Sequence, residues 1–199
     1  PAAVITQVDS RGRLLVLDEM CGEDMAIRQF LQDVLIPQLV KVYPQWWAKR
    51  NAEAPMVRCF GDPAGQQKSQ ADEKTCFQEV RAAGLRINPG KTNGFVARRS
   101  SVAWFMSKLT NGQPMLLMDP CCGVLRKGFN GGYKYRRIQV TGEERYTEEP
   151  MKNQYSHPQD ALQYVALESG GVQATMPKGP PRRAAPTYTI TDSATGVLG

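Results

Sequence analysis

Apolar positions come as short runs near the start of the chain and at helical spacing after that. Ala2-Ala3-Val4-Ile5-Thr6-Gln7-Val8 and Leu14-Leu15-Val16-Leu17 are β-rich runs. The turn residues Asp9-Ser10-Arg11-Gly12 separate them, which predicts a hairpin. Neither run alternates cleanly, so both strands are expected to be covered on two faces. Ile27, Phe30, Leu31, Val34, Leu35, Leu39 and Val42 form a stripe predicting a helix over 24–43, kinked or split at Pro37 and ended by Tyr43-Pro44. Trp46 and Trp47 follow, and they suit the core better than a partner surface.

Further on, 56–60 reads as a short strand that stops at Gly61-Asp62-Pro63-Ala64-Gly65. A helix is predicted over 71–83, closed by Gly84, then a brief strand over 85–87 and a loop over 88–92. A helix over 96–109 would turn Val102, Phe105, Met106 and Leu109 inward and end at Asn111-Gly112. A strand over 115–118 leads into 124–135, where Gly128 and Gly131-Gly132 predict a turn or bulged connection. The last helix starts near Ser156. Ser156 and Gln159 have capping-box spacing, Pro158 falls in the first turn, and Leu162, Val165 and Ala166 supply the stripe. Helices between strands define an α/β chain. From Gly170 the composition turns to Gly, Pro and Arg, so 1–169 reads as one domain and 170–199 as a flexible, basic, Pro/Gly-rich tail.

The 199 residues are 41% hydrophobic and 22% charged, ordinary for a globular protein. A net charge of +6 permits an anionic partner without demanding one. No run has the length of a membrane span and no signal peptide is recognisable, which points away from membrane insertion and secretion. Cys21, Cys59, Cys76, Cys121 and Cys122 are scattered, and His157 is the single histidine, so no zinc spacing can be assembled. Reduced thiols in a cytosol are expected.

Two stretches carry chemical content. Asp62, at a strand end between glycines, would project a carboxylate into a cleft, although Asp-Pro and Gly favour plain turns equally well. His157 and Asp160 are three apart, so a helix would bring an imidazole and a carboxylate together, groups that suit a divalent metal. On spacing alone the plainer reading is an acid favouring the positive helix end beside a surface histidine. Gly90-Lys91-Thr92 imitates the end of a phosphate-binding loop. However, Leu85 stands where that pattern needs glycine, and Pro89 removes an N–H, so nucleotide binding is rejected.

Ser156-His157-Pro158-Gln159-Asp160-Ala161-Leu162-Gln163-Tyr164 resembles the last active-site motif of the nuclease domain of tailed-phage terminase large subunits, and Gly61-Asp62-Pro63-Ala64-Gly65 resembles an earlier one. The stretch 128–137, after Met118-Asp119-Pro120, is also similar to that family. The resemblance spans residues 1 to about 168. It implies a ribonuclease H-like mixed sheet that opens with a β-hairpin and is flanked by helices. It also implies endonucleolytic cleavage of concatemeric viral DNA with two Mg²⁺ or Mn²⁺ ions, one activating water and one steadying the leaving oxygen. Asp62 and Asp160 would bind metal with His157 beside them. The family's first acid would precede Pro1, so the chain is expected to be a fragment, nearly inactive alone. Asp9 is a poor substitute for that acid, and Asp18 or Glu19 a weaker supporting candidate. Lys134, Arg136 and Arg137, interleaved with aromatics, are candidate DNA contacts, with Arg98 and Arg99 next. Implied partners are double-stranded DNA, the portal protein, the terminase small subunit and an upstream ATPase domain, in the host cytoplasm. A ribonuclease H-like module that binds DNA or docks on the portal without cutting is the alternative.

Overall fold

The computed structural model describes residues 1–52, 57–68, 74–138 and 145–170. The anticipated strand over 56–60 and helix over 71–83 fall partly outside them, and the anticipated tail lies beyond them except for Gly170.

Strands β1 (Ala2–Val8) and β2 (Leu14–Cys21) form the expected antiparallel hairpin. Its turn is held by Asp9, whose carboxylate accepts the N–H groups of Arg11 and Arg13 and pairs with the Arg13 guanidinium at 2.7 Å. Gly12 supplies the left-handed residue at φ +77. Pairing slips between Ile5 and Thr6, leaving Leu17 as an extra residue in β2. This bulge reverses the alternation of the strand. Before it, Leu14 and Val16 face a core built with Val102, Phe105, Leu125 and Leu162. After it, Met20 faces a second core built with Phe30, Leu31, Leu35 and Val80. Val4 packs on the first core, Ala3 and Ile5 on the second. The strands are thus covered on both faces, as their continuous apolar runs predicted.

One covering layer is helical from Ile27 to Val42: α1 (Ile27–Phe30), a π turn (Leu31–Leu35) and α2 (Ile36–Val42). The anticipated break at Pro37 is instead this wider turn just before it. A π turn relieves the clash of the proline ring and accommodates its missing N–H without ending the helix. Tyr43 leaves helical geometry and Pro44 opens α3 (Pro44–Ala48). Trp46 stacks on Tyr43 at 4.9 Å, and Trp47 is half-buried against the second core.

Strand β3 (Cys59–Gly61) runs parallel to β4 (Ile87–Pro89), with α4 (Cys76–Ala82) between them in sequence. Thr75 and Gln78 make a reciprocal capping box at the start of α4, and Gly84 at φ +84 follows its end. α5 (Phe95–Ser107) buries Val102 and Phe105. Met106, expected inward, is 56% exposed on the outer side of α5, and Leu109, also expected inward, is 67% exposed because the helix stops at Ser107 before reaching it. Asn111-Gly112, both left-handed, close a small hairpin between β5 (Leu109–Thr110) and β6 (Gln113–Pro114). β7 (Leu116–Met118) joins β2 in parallel, giving a three-stranded sheet ordered β1-β2-β7.

The glycine-rich stretch, expected as a turn, is α6 (Gly123–Lys127) continuing into a π turn (Gly128–Gly132). A hairpin not anticipated from the sequence follows, β8 (Tyr135–Ile138) with β9 (Arg145–Pro150). α7 (Ser156–Glu168) closes the domain against α5, β1, β2 and β3. The architecture is mixed α/β, with small sheets between helical layers. No helix among the described residues is long and apolar enough to cross a membrane.

Candidate functional site

α7 begins at Ser156, but not through the anticipated capping box. The Ser156 hydroxyl donates back to the Asn153 carbonyl at 2.7 Å, while the Gln159 amide reaches across to the Leu125 carbonyl at 3.1 Å. Asn153 organises the entry instead. Its side-chain oxygen accepts from Tyr155 N, and its amide donates to the Gly132 carbonyl. These bonds lock the start of α7 onto the end of the α6 π turn and so fix where Asp160 points.

Asp160 sits one turn into α7 with 19% of its side chain exposed. Both its oxygens face cations. Oδ1 accepts from Arg98 Nη1 at 3.0 Å and lies 3.5 Å from the Tyr133 hydroxyl. Oδ2 meets Lys152 Nζ at 3.0 Å. Arg98, expected as a DNA contact, is 7% exposed. Its guanidinium also donates to Gln163 Oε1 at 2.9 Å and to the Asn93 carbonyl, and lies 4.7 Å from the Tyr164 ring centroid. A buried arginine held this way orients a carboxylate.

Asp62 is exposed at the tip of β3, as its Gly-Asp-Pro setting predicted. One oxygen accepts the Ala64 N–H at 2.9 Å, which caps the single 3₁₀ turn after it (Pro63–Gln66). Tyr164 links this acid to Asp160. It lies one turn beyond Asp160 on α7, and its hydroxyl donates to Asn93 Oδ1 at 2.6 Å. Burial raises its pKa; the charges of Asp62 and Asp160 push the same way, against the Arg98 guanidinium. α7, which carries Tyr164 and Asp160, packs against β3, at whose tip Asp62 lies. The ring packs so closely on Gly90 that a Cβ there would lie 2.6 Å from Cδ1.

His157 lies three positions before Asp160 on α7. It is exposed in the first turn of α7 and lines a depression with Pro1, Cys21, Glu23, Lys127 and Tyr155. A side chain at the second position of a helix leans back past its N-terminus, here toward the ends of β1 and β2. Among the described residues no three His, Cys, Asp or Glu side chains are grouped to hold a metal ion. The other candidate acids have structural tasks. Asp18 accepts from Gln38 Nε2 and Glu19 N, and Glu19 accepts the first N–H groups of α6, Val124 and Leu125.

The β8–β9 hairpin stands beside Asp160. Lys134, Arg136 and Arg137 are exposed on it, as is Arg145, which the sequence reading passed over. Arg99, exposed at the start of α5, donates to the Tyr135 hydroxyl at 2.7 Å, and Phe95 meets the Tyr135 ring edge-on. Arg99 thus braces the base of the hairpin.

Carboxylate oxygens are the ligands a hard divalent cation prefers. Asp62 has one oxygen outside its turn. Asp160 Oδ2 is covered only by an ammonium whose own side chain is 71% exposed. Sequence reasoning missed Tyr164, Gln163, Arg98 in its buried role, and Lys152. Polar residues three and four positions beyond Asp160, on a helix face that otherwise packs inward, were the available signal. No protein-family model, curated protein or solved structure matches this chain.

Proposed function

We propose that the chain is a metal-dependent phosphodiesterase domain acting on DNA. Within that class, we read it as the nuclease domain of a terminase large subunit, built on a ribonuclease H-like fold. The observation that carries the reading is the packing of α7, which carries Asp160, against β3, at whose tip Asp62 lies. The two acids belong to the two motifs in which the sequence resembles that family. The hairpin opening, the helices on both sides of the sheet and the basic hairpin beside the acids agree with it.

In this reading Asp62 and Asp160 hold Mg²⁺ or Mn²⁺. A bound divalent ion would polarise the phosphodiester and supply hydroxide at neutral pH. Arg98 and Gln163 fix the rotamer of Asp160, and Tyr164 fixes the spacing between the acids. Lys134, Arg136, Arg137 and Arg145 lead the duplex backbone toward them. His157 is assigned no step. Portal protein, small subunit and an ATPase domain enter as partners through the same resemblance.

A non-cleaving DNA-binding or docking module is the second reading. It is favoured by the double neutralisation of Asp160. Nicking of supercoiled plasmid separates the two. The chain, extended at its N-terminus, should nick with Mn²⁺, and Asp62→Asn should abolish nicking while leaving duplex binding intact. Binding without nicking by the unaltered chain would establish the second reading.

A further inference from the structure

A second group of cations lies at the other end of β3 from Asp62. Arg58 directly precedes β3 and Arg86 directly precedes β4, and both are exposed. The parallel register that pairs Cys59 with Ile87, with Cys59 N donating to the Arg86 carbonyl, sets them side by side. Arg86 donates to the Asn51 carbonyl at 3.2 Å. Arg81, exposed near the end of α4, donates to the Ile87 carbonyl at 3.2 Å and lies over the Phe77 ring. Arg50, half-buried after α3, lies 4.0 Å from the Trp47 ring centroid and donates to the Trp47 carbonyl at 2.9 Å. Its Nε faces Gly84 and is a buried donor with no partner among the described residues. Carbonyls and rings thus hold three of these guanidiniums in place. Among the described residues, none of the four arginines forms an ion pair. Their positions are set while their charge is left uncompensated.

We propose that Arg50, Arg58, Arg81 and Arg86 form a second surface for a nucleic-acid backbone, separate from the basic hairpin. The inference rests on the DNA-acting part of the proposed reading and needs no metal. Guanidinium forks match phosphate oxygens, and forks already oriented by carbonyls lose little freedom on binding. Cations spread over the turn after α3, the end of α4 and two strand starts suit a row of phosphates better than one small anion. Arg58 lies four positions before Asp62, about 13 Å at the rise of a strand. A duplex backbone that passes Asp62 along β3 therefore meets Arg58 and Arg86 within about four base pairs. Contacts of this kind grip the backbone and are blind to sequence.

Binding of a fluorescein-labelled duplex to the full chain, followed by anisotropy in EDTA across a salt series, tests this without reference to cleavage. Each lost phosphate contact takes about 0.9 from the slope of log affinity against log salt. Arg58→Gln combined with Arg86→Gln should therefore flatten the slope by about 1.8 and weaken binding to every duplex sequence alike. Arg58→Lys combined with Arg86→Lys keeps both charges and should keep the slope. An unchanged slope in the glutamine pair would overturn the surface and leave the DNA-acting reading standing. An equal loss in the lysine pair would also overturn it, because the defect would then lie in the fold and not in the charge. Polyglutamate binding that depends on the two arginines, with duplex binding that does not, would assign the surface to an acidic protein segment instead. Absence of duplex binding by the unaltered chain would overturn this inference and the DNA-acting reading together.

Discussion

At the scale of single residues, the two acids differ in what their removal costs the fold. Asp160 neutralises a guanidinium that is 7% exposed, and cutting it away strands that charge. Asp160→Ala should therefore lower stability by about 3 kcal/mol. Asp62 is exposed and one of its oxygens caps its own turn, and asparagine caps such a turn equally well. Asp62→Asn should stay within about 0.5 kcal/mol of the original. Urea unfolding of both variants checks the contrast, and comparable losses would mean that Asp62 is more deeply engaged than its exposure indicates. Asp62 is for that reason the cleaner probe of function. The same contrast marks what was legible in the sequence. Both acids stood out because they sit in short motifs with turn or capping chemistry around them. The roles of Arg98 and Tyr164 depend on α5 meeting α7, a contact between residues more than sixty positions apart, which no local spacing encodes.

At the scale of elements, the bulge at Leu17 decides which way the second half of β2 faces, and with it the anchoring of α6. Unbulged alternation would aim Met20 into the same core as Leu14 and Val16. The extra residue instead turns Glu19 toward α6, where its carboxylate accepts the N–H groups of Val124 and Leu125. Glu19→Ala removes both acceptors at the positive end of that helix and should cost about 1–2 kcal/mol. Hydrogen exchange should show the loss first in the α6 amides, and uniform loss across the domain would count against a local cap. The strands and long helices were legible because their burial is written as apolar runs and stripes. The β8–β9 hairpin was not, because Tyr135, Arg136, Arg137, Arg145 and Tyr146 bury too little to leave a periodic signal. The π turn before Pro37 was half-legible. The proline announced a disturbance, but the cores on either side kept the helix going through it.

At the scale of the whole molecule, the titrating groups bound a pH window for stability. On the acid side, hydrogen bonds from Arg13, Arg28 and the Cys121 N–H hold Asp9, Glu79 and Asp119 below the ordinary carboxylate range. Their contribution is present above the unfolded carboxylate pKa and is lost as pH falls through the folded values.

On the alkaline side the sign reverses. Burial pushes Cys59 from 9.0 up to about 11, so the folded chain keeps a proton that the unfolded chain releases above pH 9. The unfolded state then binds fewer protons, and stability falls as pH rises from 9 toward 11. At about 1.4 kcal/mol per unit, this single thiol accounts for a loss of about 3 kcal/mol across that interval. Cys122, fully buried beside Leu125, shifts in the same direction and extends the decline. Cys59→Ala should therefore lower stability modestly at pH 7 but flatten the fall between pH 9 and 11, measured as the urea midpoint against pH under reducing conditions. An undiminished slope in that variant would mean that the thiol opens to solvent before the domain unfolds, and that β3, which carries Asp62 at its tip, is the first element to separate from its core.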